Sequence, residues 1–472
     1  MAHSLSLLQD LEQALCETGR AALTGAAPFG AVLGAVARAT LELSGADLSA
    51  ADIRAGLQEL ANAEQAAYTE MLERTVGAIP DAHADCRGAV RRYLEHWPAL
   101  IRHVLRRPSN PAGRVVPAGM AFEDPAELLR FLPTGTPRFR PGPVPGVPEW
   151  ELTRYCGMGD GTEVWGARST TGAEPAALKF VTDPSAIRRV FDSEPLFTRV
   201  FSLTGQSGIV PLRTVYPDPN RVCIEAGYAP GYDLAGVMFD WKWRWGRAMP
   251  DPAAGLARRL ADVVGKAHAR QVVHRNLKPS NVILMPAEGA RFALWVTDFG
   301  WGQVAAALNA RAEVARETPQ ALRGAHTRLY LAPQVAAGHP ADPRDDVYAI
   351  GLIWYQLLRQ DPAADPARAP DWANELTADG VPEAHVELLA ACLAPTAADR
   401  PADAGALAQR LSTLPTTPSL QSTARASAPA AAPRPRRPRG SRPKKRRCAR
   451  SRLRTTRSVR WGARSTARRA AP

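Results

Sequence analysis

The chain reads as an α+β protein of two lobes, a small β-rich lobe followed by a helical one, preceded by a small all-α domain. Three observations predict this. Residues 1–128 place apolar side chains at helical spacing, most plainly Tyr93, Trp97, Ile101 and Leu105. Residues 129–149 gather prolines and glycines, as in PRFRPGPVPGVP, whose missing amide donors and fixed φ angles mark a linker. From 150 to 413, short alternating runs come first and long helical ones after.

In the first domain, ADIRAGLQELANAEQAAYTEMLERTV and CRGAVRRYLEHWPALIRHVLRR carry the helical pattern and no catalytic constellation. His83 and His96 stand alone there and read as surface or core residues rather than ligands. Ala21 to Ala37 is uncharged but rich in Ala and Gly. It follows Asp10, Glu12 and Glu17 instead of a basic segment, so it reads as a packed helix and not as a membrane span or signal. Beyond the linker, ELTRYC, TEVWGARS, AALKFV and RVCIEAGY read as strands. GLARRLADVVGKAHARQ and DDVYAIGLIWYQLLRQ read as helices. FDWKWRWGRAMP, residues 239–250, alternates aromatic and basic side chains. That pattern suits base stacking, but inside a helical lobe it suits packing better.

Residues 414–472 hold 18 of the 59 Lys and Arg and no acid, which leaves 1–413 with a net charge of −5 within a total of +13. Poor in large apolar residues and of one charge sign, this tail is expected to be disordered. Its stretch 434–469 is either a contact for a polyanion, nucleic acid or an anionic membrane surface, or a solvated extension. The six cysteines are widely spaced, without a zinc or disulfide pattern. A reducing, cytoplasmic setting is the expectation.

The chemistry lies in the middle segment. Moving phosphate needs a backbone cradle, a fixed cation, two metal-holding groups and something to position the acceptor hydroxyl. Gly157, Gly159 and Gly161 in CGMGDGTEVWGA lie between two strands, where absent Cβ atoms let amides approach an anion. A G-x-G-x-x-G loop would have its third glycine at Thr162, one residue later than Gly161. Lys179 in AALKFV is one of only six lysines against 53 arginines, so its retention is informative. An inward lysine on a strand needs anions about it, and Glu194, on a following helix, is placed to pair with it. Pro195 suits a first helical turn, so that helix starts late or bends.

QVVHRNLKPSNVILM carries the strongest signal. His274, Arg275, Lys278 and Asn281 keep the spacing H-R-x-L-K-P-x-N, with Asp298-Phe299-Gly300 following. A carboxamide oxygen and a carboxylate on the two arms of a hairpin can share one Mg²⁺ ion. In this combination the segment resembles the protein-kinase family, specifically bacterial Ser/Thr kinases.

The resemblance implies a bilobal protein-kinase-like fold with ATP and Mg²⁺ as ligands. It makes Gly157 to Val164 the loop over the phosphates and Lys179 a phosphate ligand paired with Glu194. Lys278 would contact the γ-phosphate, Asn281 and Asp298 would hold metal, and Phe299 would pack under the helix of Glu194. It further implies that Thr327 supports the catalytic loop, that Asp346 holds the His-Arg turn, and that Arg400 meets Gln334 where the family has a glutamate. Arg275 could hold a phosphorylated residue, for which Thr318 is the candidate; an unmodified loop threonine is the other reading.

Asn276 stands where the family has the aspartate that orients the acceptor hydroxyl and takes its proton. An amide keeps the size and one acceptor but cannot take that proton. The sequence therefore implies either a Ser/Thr kinase with weakened transfer to an unknown protein substrate, or a pseudokinase serving as a nucleotide-regulated scaffold.

Overall fold

The computed structural model describes residues 2–16, 49–117, 120, 122, 128, 130–133, 137–159, 162–181, 184–218, 221–246, 249–287, 291–302, 304 and 327–415. Gly161, Thr318, Ala21–Ala37 and the basic tail lie outside them, as does the Thr327 side chain.

Among the described residues, five α-helices open the chain: α1 (Ala2–Ala14), α2 (Ala50–Asn62), α3 (Gln65–Ala78), α4 (Arg87–Leu94) and α5 (Trp97–Leu105). Ser49 caps α2 in a reciprocal pair with Asp52, which satisfies amides the first turn cannot. Tyr93, Trp97, Ile101 and Leu105, the run picked out by spacing, are all buried in one core with Leu7, Leu57 and Leu72. Cys16 and Cys86 meet in this core as free thiols, their Sγ atoms 3.3 Å apart. After Leu105 the chain turns through a tight bridge between Arg107 and Asn110.

Leu100, on the same helix, packs into a different core, among Val144, Trp150, Leu152, Tyr155 and Trp165 of the sheet. That sheet has six strands, β1 (Gly142–Val144), β2 (Val147–Gly159), β3 (Thr162–Ser169), β4 (Ala176–Val181), β5 (Leu212–Tyr216) and β6 (Val222–Gly227), in the order β1-β2-β3-β4-β6-β5. All its pairs are antiparallel. The proline-rich segment thus joins the sheet at its end instead of remaining a linker throughout. Pro143 is tolerated because β1 is an edge strand and needs no donor on its outer side.

Between β4 and β5 lie α6 (Pro184–Asp192) and α7 (Glu194–Phe201). Pro195 sits in the first turn of α7, so the helix restarts there, as its fixed φ dictates.

The helical lobe contains the short strand β7 (Tyr232–Asp233), α8 (Leu234–Trp245), α9 (Pro250–His268), the hairpin β8 (Val282–Ala287) and β9 (Arg291–Val296), α10 (Pro343–Arg359), α11 (Trp372–Ala378), α12 (Glu383–Cys392) and α13 (Ala404–Ser412). Helix α10, opened by an Asp342/Asp345 capping box, is apolar nearly all round and forms the centre of this lobe. Among the described residues no helix is long and apolar enough to cross a membrane.

Candidate functional site

A cavity of 720 Å³ opens between the lobes, lined by Gly157, Val164, Lys179, Asn276, Lys278, Asn281 and Asp298 among others. These residues come from five separate stretches, and each is positioned by a local cause. Val164 and Lys179 face each other in the register of β3 and β4. Gly157, opposite Val164 on β2, has φ +134°, a conformation L side chains avoid.

The hairpin places Asn281 and Asp298 at one end. Val282 pairs with Val296 at its base, and Thr297 N–H donates to Asn281 O at 3.0 Å. Asn281 Nδ2 donates to Asn276 O at 2.7 Å, which leaves its carbonyl oxygen as the group able to meet a cation.

The turn carrying Asn276 is held from beneath by one carboxylate. Asp346 on α10 accepts from His274 N–H and Arg275 N–H, both at 2.7 Å, and from His268 Nε2 at 2.8 Å. Burial alone would raise this carboxyl. The hydrogen bond and charge of His268, with His274 and its backbone amide, bring it below the ordinary carboxylate range. His274 has its tautomer set by two partners: Asn276 N–H donates to Nδ1 at 3.2 Å, and Nε2 donates to Thr297 O at 2.8 Å. Arg275 and Asp298 both adopt positive φ, 56° and 69°. Such backbone is strained for non-glycine residues and persists only where surroundings over-determine it, as these do. Gly302 is needed here too, since a Cβ would stand 2.0 Å from His274 O.

Lys179 departs from the expectation. Its Nζ lies 2.5 Å from Asp298 Oδ2 and 4.8 Å from the centroid of the Trp301 ring. Glu194, expected as its partner, is exposed in the first turn of α7. The buried face of that helix is Leu196, Phe197 and Val200, and the helix restart at Pro195 leaves the acid at its N-terminal end, where the helix dipole favours it. Burial would raise Asp298, but the Lys179 ammonium and, less, His274 and Lys278 hold it below the usual range. Trp301, nearly fully buried and directly after the DFG triplet, escaped the sequence reading. No spacing rule predicts a ring beneath a lysine more than a hundred residues away.

Arg275 also stands apart from the cavity. Its Nε lies 3.1 Å from Asp345 Oδ2 and its guanidinium donates to His339 O. Asp345 accepts from Gln334 Nε2 at 2.6 Å, and Gln334 Oε1 accepts from Arg400 at 3.2 Å. Gln334 meets Arg400 as expected, and its amide does what a glutamate could not, donating on one side and accepting on the other. The variant Gln334→Glu should lose about 1–3 kcal/mol in urea unfolding, because it removes a donor from a buried carboxylate and sets a like charge beside it.

His96 is a satisfied core residue, with Nε2 3.0 Å from Phe139 O and its ring against Tyr155 and Trp165. Phe239 of the aromatic and basic run packs under Arg130 at 4.5 Å, so this part of the run is packing.

Residues 150–409 match the protein kinase domain family. The chain belongs to the protein kinase family. Its α+β bilobal fold is that of a kinase domain. Aurora kinase B of Danio rerio is 25% identical over 246 residues, which are 50% of this chain and 71% of that protein. The serine/threonine-protein kinase Pkn1 of Myxococcus xanthus is 30% identical over 162 residues, 34% of this chain and 21% of that one. PknD of Chlamydia pneumoniae is 26% identical, with 24% of its length covered, so the kinase domain spans only a fraction of these longer bacterial proteins. Among solved structures, the kinase domain of PknI from Mycobacterium tuberculosis aligns with a TM-score of 0.43 and 20% identity, covering 58% of this chain and 98% of that one.

Proposed function

We propose that the domain binds ATP with Mg²⁺ and transfers phosphate to Ser or Thr of a protein slowly, Asn276 being the limit. The observation that carries this is the convergence of Lys179, Lys278, Asn281 and Asp298 with Asn276 on one cavity. Two oxygen donors, the Asn281 carbonyl and the Asp298 carboxylate, suit a hard cation that completes its shell with phosphate oxygens and water. Bound there, Mg²⁺ would neutralise charge on the β- and γ-phosphates.

Lys179 and Lys278 supply fixed positive charge, Gly157 lets backbone approach the phosphates, and Val164, Ala177 and Ile283 give apolar walls for a base. Asn276 can accept a hydrogen bond from an incoming hydroxyl and orient it, but the proton must leave by another route. Phosphoryl transfer leans more on positioning and electrostatics than on a base, so slow turnover remains available.

A second reading, a pseudokinase that uses nucleotide to set its shape for a docking partner, is favoured by Lys179 resting on Asp298 while Glu194 faces solvent. Both readings require nucleotide binding. ATP with Mg²⁺ should raise the melting temperature, by about 2.7 kcal/mol of added stability at a hundredfold excess over Kd. Lys179→Met should abolish most of that shift, and an unshifted wild-type protein would overturn both readings.

A further inference from the structure

The helical region supplies a wall of the cleft. Leu100, His103 and Val104 of α5, and Arg106 just beyond it, line the same cavity as Val164, Ala177 and Ile283. This wall is anchored on both lobes. His96 packs on Tyr155 and Trp165 of the sheet, while Ser109 Oγ donates to Asp240 Oδ1 on α8. The approach to α8 is close enough that a Cβ at Gly236 would stand 2.7 Å from Arg106 O.

At the junction of wall and sheet two guanidinium groups, of Arg106 and Arg154, share the corner with one carboxylate, that of Asp233. Arg154 of β2 lies 5.2 Å from the ring of Tyr228, just after β6, and its charge is felt at His103 together with that of Arg106. Asp233, which shares this corner and feels the Arg106 charge, also accepts from the Gly236 amide at 2.7 Å, while Arg106 donates to Gly231 O at 3.4 Å and to Pro111 O at 3.2 Å. Arg154 Nε, His103 Nδ1 and the Tyr155 hydroxyl line or border the cavity, are shielded from solvent, and make no hydrogen bond. Unpaired polar atoms and facing like charges are costly away from water, and native proteins rarely leave them so without a ligand that completes the set. Burial, with the two guanidinium groups, pushes His103 down to about 4, so near neutrality it enters such a site uncharged.

We propose that Arg154, Arg106 and His103 form an anion subsite that takes a phosphate-class group, separate from the one expected at Lys179 and Asp298. Arg154 pairs with Gly166 in the sheet while Lys179 pairs with Val164, so the two cationic centres occupy different parts of the cavity wall. Arginine suits the task because its planar donors match a tetrahedral oxyanion in pairs. The subsite stands on its own residues; its use by a nucleotide rests on the reading above. The group is either a second phosphate carried by the nucleotide, on its ribose, or one belonging to a separate phosphorylated molecule.

Calorimetric titration of the full chain with sulfate tests the subsite. Sulfate should bind the wild type and Lys179→Met alike, and at least tenfold more weakly to Arg154→Gln, with Arg106→Gln as an independent second variant and Arg154→Lys keeping only part of the affinity, since an ammonium lacks the paired donors. Adenosine 3′,5′-bisphosphate against adenosine 5′-monophosphate then separates the sources. A tenfold tighter bisphosphate, with the gain lost in Arg154→Gln, supports the nucleotide-borne phosphate. Equal affinities, with sulfate still binding at saturating monophosphate, support a separate molecule. Absence of sulfate binding in the wild type overturns the subsite, as does binding lost in Lys179→Met and kept in Arg154→Gln. Failure of ATP to bind while sulfate binding stays Arg154-dependent would overturn the proposed function and leave the subsite standing.

Discussion

Asn276→Asp should raise the rate of phosphate transfer from radiolabelled ATP, to itself or to a general Ser/Thr substrate, by roughly 10²- to 10⁴-fold. That corresponds to about 3–5 kcal/mol of barrier. The site is prepared for the change. Asn276 is buried, its carbonyl is fixed by Asn281 Nδ2, its amide by His274 Nδ1, and Lys278 lines the same cavity two residues on, where a new carboxylate would find a countercharge. Side-chain size is nearly unchanged, so the turn should keep its shape. A wild-type rate equal to that of the variant and already robust would sink the idea that Asn276 limits turnover. If the variant stays as slow as the wild type, the limit lies at Lys179, whose tie to Asp298 must loosen for the lysine to meet phosphate.

Asp346→Ala should be the most damaging single change in the helical lobe, costing about 3–5 kcal/mol in urea unfolding. It strips three donors of their acceptor, the amides of His274 and Arg275 and the ring of His268, and with them the reason for the strained backbone at Arg275. His268 Nδ1 also accepts from Ala404 N–H, so the loss reaches α13. The pH dependence follows from the direction of the shift. The folded-state carboxyl lies below its unfolded value of about 3.9, so its stabilisation is complete above that value and is lost as pH falls through the folded pKa. Asp298 is lowered in the same sense. Wild-type stability should therefore fall below about pH 4, and Asp346→Asn should show a shallower acid limb from a lower starting stability. An unchanged acid limb in that variant would contradict the assignment.

Much of the site was legible because its signals are local. His274, Arg275, Lys278 and Asn281 lie within eight residues, and one turn closed by His274 presents them together. The Asp298 triplet could be placed because a two-stranded hairpin is the short route from Asn281 to it. Strands β2, β3, β4 and β6 were visible from alternation, and β8 with β9 as the hairpin that joins Asn281 to Asp298, but β7 was not. Its two residues are too few to show a period. The Lys179–Glu194 pair failed for a different reason. Sequence places a lysine on a strand and a glutamate on the next helix, yet which acid meets the amine depends on how that helix packs. Phe197 and Val200 turn inward against Gly300, while Asp298 and Trp301 fill the space beside the amine.

By itself, then, the sequence determined the order of lobes, the turn with its amide at position 276, and the two side-chain oxygens proposed to hold a cation. Each follows from residues close enough in the chain for covalent spacing to constrain them. Only the tertiary structure decided that Lys179 rests on Asp298, that Arg275 is drawn to Asp345, which Gln334 ties to Arg400, and that helix α5 walls the cleft. Those contacts join residues far apart in the chain, and they are chosen by packing and by the cost of leaving buried charge unpaired, which no local spacing encodes.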